Sequence, residues 1–410
     1  MAPHWSPAGQ LIVHLSSSLY MQADMHVCVT PIYGETRSLT SEFDYRSFQP
    51  QWSPDGESVY FLAEKEGNVS LYTIPVEGGE VKRIINAEGY VECYDVSKDG
   101  TIVYVASNPT NPSDLWIYDS LTNDSVQLSH LNERLQNMEL VHPTCFWYES
   151  FDGLPIQGWY YLPIGYEDGE KYPLILKIHG GPTMMWGNDF DLEAQLLATK
   201  GYVVAKINPR GSTGYGNAFA LPEGVSSGEK FYSEFDLLLE WGLEKAYEDL
   251  MLGIDYLIEE GFVDKERMGV MGRSWGGYLT LWAISHTDRF KAAVAERAIG
   301  INWQTIVLAC DTAVPVEIPW EEIDRFNKKY SVIFHVDQIK TPVLITVGMK
   351  DFHVTPWTHL ELFSALQCEG VPTELVFYPR EKHSYREAGH KVDRMNRIVD
   401  WFDHYLENQN

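Results

Sequence analysis

Between residue 4 and about residue 129 apolar and polar positions alternate in short runs, "SVYFLA" from Ser58, "VSLYTIPV" from Val69, "DLWIYD" from Asp114 and "SVQLS" from Ser125. A period of two predicts half-buried strands. The runs are organised by a repeat. "HWSPAGQLIVHLS", "QWSPDGESVYFLA" and "DVSKDGTIVYVAS" begin at His4, Gln51 and Asp95, 47 and 44 residues apart. Each copy opens with a Ser-Pro-Asp-Gly-like stretch, in which proline suits the second and glycine the fourth position of a type I turn. Units of this length, with about four short strands each, predict propeller blades. About three units are present, so residues 1–135 are expected to form a partial β-propeller with open sheet edges, which invite pairing with another chain.

Past residue 136 the pattern changes. "PLILKI", "YVVAKI", "MGVM", "AAVA", "PVLITV" and "ELVFY" are short, near-continuous apolar runs. Helical patterns lie among them, including "YEDLMLGIDYLIEEG", "GYLTLWAISH", "THLELFSALQ" and the C-terminal "EAGHKVDRMNRIVDWFDHYLE". Apolar strands alternating with helices predict an α/β domain over 136–410, a mostly parallel, doubly wound sheet covered on both faces. Chemistry in such sheets sits beyond the C-terminal ends of the strands.

Gly272-Arg273-Ser274-Trp275-Gly276 reads G-x-S-x-G between a predicted strand and a predicted helix, the setting in which that pattern marks a nucleophile. A serine hydroxyl needs a base, and the base an orienting carboxylate. The strand-end rule picks Asp351, just past "PVLITVG", and His383, past "ELVFYP". Asp337 precedes its strand, while His390 and His404 fall on the C-terminal helix, where a solvated face is expected. The order Ser274, Asp351, His383 is that of α/β-hydrolases. An oxyanion needs two preset donors. The backbone N–H of Trp275 is one candidate, and Gly181 in His179-Gly180-Gly181-Pro182, after "LILKI", is the other. His179 itself is expected to brace the loop. Trp303 and Ile306 in "INWQTIV" fit either a pocket lining or the core.

Composition narrows the chemistry. A net charge of −27 argues against nucleic acid and anionic membrane surfaces. Five scattered cysteines (Cys28, Cys93, Cys145, Cys310, Cys368) form no paired motif, as expected of reduced thiols in the cytoplasm. The N-terminal "MAPHWSPAGQ" has neither the basic nor the apolar region of a signal peptide. "NPRGSTGYG" (208–216) lacks the P-loop lysine. There is no HExxH or cysteine pair, so no metal and no cofactor is expected.

HGGP, NPRGSTGYG, GRSWGG, the aspartate after "PVLITVG" and the histidine after "FYP" together resemble the prolyl oligopeptidase family of serine peptidases. The resemblance is greatest to its bacterial acylaminoacyl-peptidase and dipeptidyl-peptidase-like branch. It covers residues 136–410, and the WSPDG repeats match that family's N-terminal propeller. It implies an α/β-hydrolase fold and Ser274 as nucleophile, His383 as base and Asp351 as its partner. It further implies oxyanion donors at Gly181 and Trp275, the side chains of Trp275 and Trp303 at the S1 pocket, and a propeller that excludes folded proteins. Three departures stand out, the first being "LPEGVSSGEKFYSEF" (221–235), which reads as an insertion that fits a lid, an oligomer contact or a tolerated surface loop. The family's propeller has about seven or eight blades. Its members also often carry an arginine, gripping a substrate carbonyl, where this chain has His353. The expected function is hydrolysis of short or N-acylated peptides through an acyl-enzyme, by a cytoplasmic homo-oligomer. The alternatives are a carboxylesterase on the same scaffold and a non-catalytic binding or scaffold protein.

Overall fold

Each repeat begins with a turn closed by its own backbone. Gly9 N–H donates to Ser6 O at 2.8 Å, Gly56 to Ser53 O at 2.9 Å and Gly100 to Ser97 O at 3.0 Å. All three glycines have positive φ, which a residue with a Cβ rarely adopts. In the second copy the Ser53 hydroxyl donates to Asp55, whose carboxylate also accepts the N–H of Glu57. The computed structural model describes residues 3–17, 24–85, 88–119, 122–225, 236–302 and 320–407. Among them the turns start three four-stranded antiparallel blades. The first is β1 (His4–Trp5), β2 (Leu11–Ser16), β3 (His26–Pro31) and β4 (Arg37–Ser38). The second is β5 (Ser47–Trp52), β6 (Ser58–Lys65), β7 (Asn68–Pro75) and β8 (Lys82–Arg83). The third is β9 (Tyr90–Val96), β10 (Ile102–Asn108), β11 (Asn111–Asp119) and β12 (Asp124–Gln127), joined to the second by one parallel pair, Val69 with Tyr90.

Alternation along the middle blade sorts its residues into two cores. Val59, Phe61 and Ala63 of β6, with Tyr72 and Ile74 of β7, pack with Val13, Val27 and Val29 of the first blade. Leu62, Val69 and Leu71, from the opposite face, pack with Val91, Ile102 and Tyr104 of the third. Residues Met185–Leu192 and Gly211–Glu229 belong with Met1–His142 to this compact unit. Met185 joins the second core, Asn188 bonds Asn68, and Glu66 N–H donates to Gly214 O at 2.9 Å.

The other unit comprises Pro143–Met184, Glu193–Arg210 and Lys230–Asn410. Its eight-stranded sheet has the order β13-β14-β16-β15-β17-β18-β19-β20. These are β13 (Thr144–Glu149), β14 (Pro155–Tyr161), β15 (Tyr172–Ile178), β16 (Val203–Asn208), β17 (Val263–Arg273), β18 (Ala292–Glu296), β19 (Val343–Gly348) and β20 (Thr373–Tyr378). The six from β16 to β20 in that order run parallel; β13 and β14 add an antiparallel edge that the apolar-run pattern does not reveal. Every residue of β16, β18 and β19 is buried, as strands covered on both faces require. The helices that concern the site are α1 (Leu192–Thr199), α2 (Ala246–Glu259), α3 (Trp275–His286), α4 (Trp320–Tyr330), α5 (Pro356–Cys368) and α6 (Ala388–Phe402).

A buried ion pair pins the end of β16. Arg210 donates to both carboxylate oxygens of Asp249 on α2, at 2.9 and 2.8 Å, and to Asp152 at 2.8 Å. Its guanidinium also lies over the rings of Phe151 and Trp241. Removing one member of such a pair strands the other charge and typically costs about 3–5 kcal/mol. The arginine of "NPRGSTGYG" therefore has a structural task. Among the described residues no helix is long and apolar enough to cross a membrane.

Candidate active site

The glycines flanking Ser274 are explained by contact distances. A Cβ on Gly276 would lie 2.2 Å from Ile178 O, and one on Gly272 would lie 2.2 Å from Gly276 O. No side chain fits at either place, so the first turn of α3 rests directly on the end of β15. Ser274 itself stands at φ 60°, ψ −117°, a strained conformation that costs about 1–3 kcal/mol. The turn is held by Ser274 N–H donating to Glu296 O at 2.9 Å and by Tyr278 N–H donating to Ser274 O at 3.0 Å. The serine is half-buried and forms the N-terminal boundary of α3, where the helix dipole favours developing negative charge.

Asp351 and His383 are brought together. His383 Nδ1 donates to Asp351 Oδ2 at 2.8 Å, and Asp351 Oδ1 accepts the N–H groups of His353 and Val354, each at 3.0 Å. Burial pushes the Asp351 carboxyl up, but the His383 contact and these two amides outweigh it and hold the group below the usual carboxylate range. Asp351 is buried, whereas His383 keeps a quarter of its side chain exposed (27%). Two residues that the motifs do not point to hold this arrangement. Gly348 lets the histidine loop pass, since a Cβ there would lie 2.5 Å from Glu381 O. Glu381 accepts the N–H groups of Arg386 and Glu387 and Nδ1–H of His390, bracing the loop that carries His383. His390 is therefore tied to this loop and is not on the solvated face expected from the helical pattern. Glu381, Glu387 and His390 have ligand atoms within 4.8 Å of one another, but Glu387 is gripped by Arg380 through two hydrogen bonds at 2.7 Å.

The His179–Pro182 loop lies against the serine turn. A Cβ on Gly180 would lie 3.1 Å from Arg273 O and 3.6 Å from Ser274 Cβ. Gly181 has φ 122°, and a Cβ there would lie 2.7 Å from Thr183 N. His179 is buried and its Nδ1–H donates to Gly180 O at 2.7 Å, a bracing contact. Trp275 N–H belongs to the first turn of α3, whose amides have no intrahelical acceptor. The Trp275 indole is buried, edge-on to Tyr278, and its Nε1–H donates to Gly242 O at 3.0 Å. That commits the indole nitrogen. His353 is exposed, with its ring centre 5.7 Å from that of His383. Trp303 and Ile306 lie outside the described residues, as do residues 226–235 of the stretch 221–235.

The model of the prolyl oligopeptidase family matches residues 188–409, more than half of the chain. The chain belongs to the prolyl oligopeptidase family. The TolB β-propeller model matches residues 1–141. Among relatives in the family, an uncharacterized peptidase, YuxL, of Bacillus subtilis is 33% identical over 87% of this chain and 53% of its own length. Dipeptidyl-peptidase 5 of Porphyromonas gingivalis is 26% identical over 99% of this chain and 59% of its own. The chain thus spans about half the length of these relatives. The acylaminoacyl peptidase of Pyrococcus horikoshii superimposes with a TM-score of 0.81 at 26% identity, covering 98% of this chain and 62% of that one. The α/β-hydrolase fold preceded by propeller blades is that of the family.

Two buried histidines make the stability of this family member depend on pH. Burial lowers both His179 and His359, on α5, to about 4, against the opposing hydrogen bonds to Gly180 O and Thr355 O. In the unfolded chain they protonate near 6.5. Between these values the unfolded state binds more protons, so stability is complete above pH 6.5 and falls toward pH 4. The slope is at most about 1.4 kcal/mol per pH unit for each histidine. Asp351, with its lowered carboxyl, acts in a lower window, below its ordinary value of 3.8. Urea unfolding at pH 7 and pH 5 is expected to show lower stability at pH 5, with a smaller difference in His359→Met. Equal differences in the two proteins remove this assignment.

Proposed function

We propose that the chain is a serine peptidase that hydrolyses short or N-acylated peptides through an acyl-enzyme on Ser274. The observation that carries this reading is the His383 Nδ1–H bond to Asp351 at 2.8 Å, and the strained turn at Ser274, on the N-terminal boundary of α3, supports it. With the proton on Nδ1, Nε2 is the basic nitrogen. Ser274 Oγ attacks the substrate carbonyl as its proton passes to His383 Nε2, and Asp351 stabilises the imidazolium. The oxyanion is met by the N–H groups of Gly181 and Trp275. His383 then protonates the leaving amine. A water, deprotonated by His383, releases the acid from Ser274.

Residues 136–410 are proposed as the catalytic domain and 1–135 as a partial propeller. The names of the dipeptidyl- and acylaminoacyl-peptidase relatives support a peptide substrate. The net charge of −27 disfavours nucleic acid as a partner. Cys28, Cys93, Cys145 and Cys368 form no disulfide among the described residues, which supports a cytoplasmic location. A carboxylesterase is the second reading, favoured by the histidine at position 353.

A fluorophosphonate probe is expected to label Ser274. Ser274→Ala should abolish labelling and turnover together, a loss of about 10⁶ in kcat. An alanine variant retaining a tenth of wild-type activity would falsify the mechanism. Wild-type protein that takes neither probe nor substrate supports a scaffold role instead.

His353 is exposed near His383, and a neutral imidazole offers one donor where arginine offers several. His353→Arg is expected to raise kcat/KM for acyl-aminoacyl or dipeptidyl substrates about tenfold, the scale of a charged hydrogen bond, while leaving p-nitrophenyl acetate nearly unchanged. Equal effects on peptide and ester discard the anchoring role.

Exposed apolar side chains on the blade unit, including Trp5, Tyr33, Val126 and Leu131, support self-association through residues 1–135. Light scattering should give more than one chain's mass; a clean monomer at micromolar concentration sinks that idea.

A further inference from the structure

β18 ends in a two-residue corner that touches both halves of the proposed machinery. Glu296 O accepts the N–H of Ser274 at 2.9 Å. The next residue, Arg297, has φ 45° and gives its own N–H to Thr346 O on β19 at 2.7 Å. Its guanidinium, 2% exposed, donates Nη1–H to His383 O at 2.8 Å and lies over the Tyr385 ring at 4.1 Å.

The nearest carboxylate already has another cation. The Glu296 carboxylate is already held by Arg394 on α6, through Nε and through Nη2 at 2.7 Å, and by the Thr346 hydroxyl at 3.2 Å. Arg394 also bonds Glu193, which meets Lys177 at 3.2 Å. Arg297 reaches Glu296 only at 3.5 Å, and its buried Nε has no hydrogen-bond partner among the described residues. A buried guanidinium with an unmet N–H is costly, and an apolar side chain of similar volume packs without that cost. What the charge does achieve is a charge-assisted bond to the backbone of the proposed base.

We propose that Arg297 is a positioning residue that locks the His383 loop to the corner that also holds the Ser274 turn. The proposal rests on the serine-peptidase reading above. Because Arg297 acts through His383, its loss slows the proton transfers without altering how substrate binds.

The test uses the full chain and p-nitrophenyl acetate, with fluorophosphonate labelling rates and the downfield proton resonance of His383 Nδ1–H. Arg297→Met is expected to lower kcat about 100-fold, the scale of a roughly 1 Å misplacement. KM should stay within about threefold, labelling should slow in step with kcat, and the resonance should shift or broaden. Arg297→Lys, which restores one charged donor, should recover part of both kcat and the resonance. A kcat for Arg297→Met within threefold of wild type, with the resonance unmoved, overturns the proposal. Should Arg297→Met fail to fold, Tyr385→Leu removes the ring beneath the guanidinium; unchanged kcat and resonance there overturn it equally. Wild-type protein without labelling or turnover defeats the serine-peptidase reading, and the resonance in Arg297→Met still decides whether Arg297 positions His383.

Discussion

The direct rest of the α3 N-terminus on the end of β15 is the constraint on which the site depends. It exists because positions 272 and 276 carry no Cβ, and any substitution there meets a carbonyl oxygen at 2.2 Å. Glycine in a helix is unfavourable by about 1 kcal/mol relative to alanine, and the φ of Ser274 adds strain. The fold accepts both. In return the Ser274 turn stands at the strand ends, beside the His179–Pro182 loop and at the positive end of α3.

The neighbouring loops repeat one device. Asp351 takes two backbone N–H groups and one histidine Nδ1; Glu381 does the same with Arg386, Glu387 and His390. A carboxylate satisfied in this way fixes the loop around it, since each buried oxygen lone pair left unmet is costly. The Glu381 cluster shapes the loop from which His383 projects. Gly348 then lets that loop approach the end of β19, where Met349 N–H donates to Tyr378 O and Lys350 N–H to Glu381 O. One carboxylate–histidine pair thus supports the other.

The blade unit follows a simpler rule. The middle blade is covered on both sides, so its two alternating faces feed two separate cores. Alternation alone marks both faces of such a strand as regular structure and leaves open which neighbour covers each. Met185, distant in sequence, completes the second core, a contact that strand periodicity around residues 58–118 has no means of signalling.

What the sequence by itself determined is what short-range chemistry governs. Strand period, Ser-Pro-Asp-Gly turns and strand–helix alternation are local properties, so the blades and the sheet were legible. G-x-S-x-G marked Ser274, and the strand-end rule singled out Asp351 and His383, because each lies within a few residues of an apolar run. What only the tertiary structure decided is how distant segments meet: the burial of the Trp275 indole against Gly242, the need for Gly348, the bracing by Glu381 and the hold of Arg297 on His383. Nothing near position 297 or 381 in the sequence distinguishes its charge from one on the surface. Those roles arise when β18, β19 and β20 lie side by side and bring together groups about 30 to 86 residues apart, whose buried polar atoms must find partners in the fold.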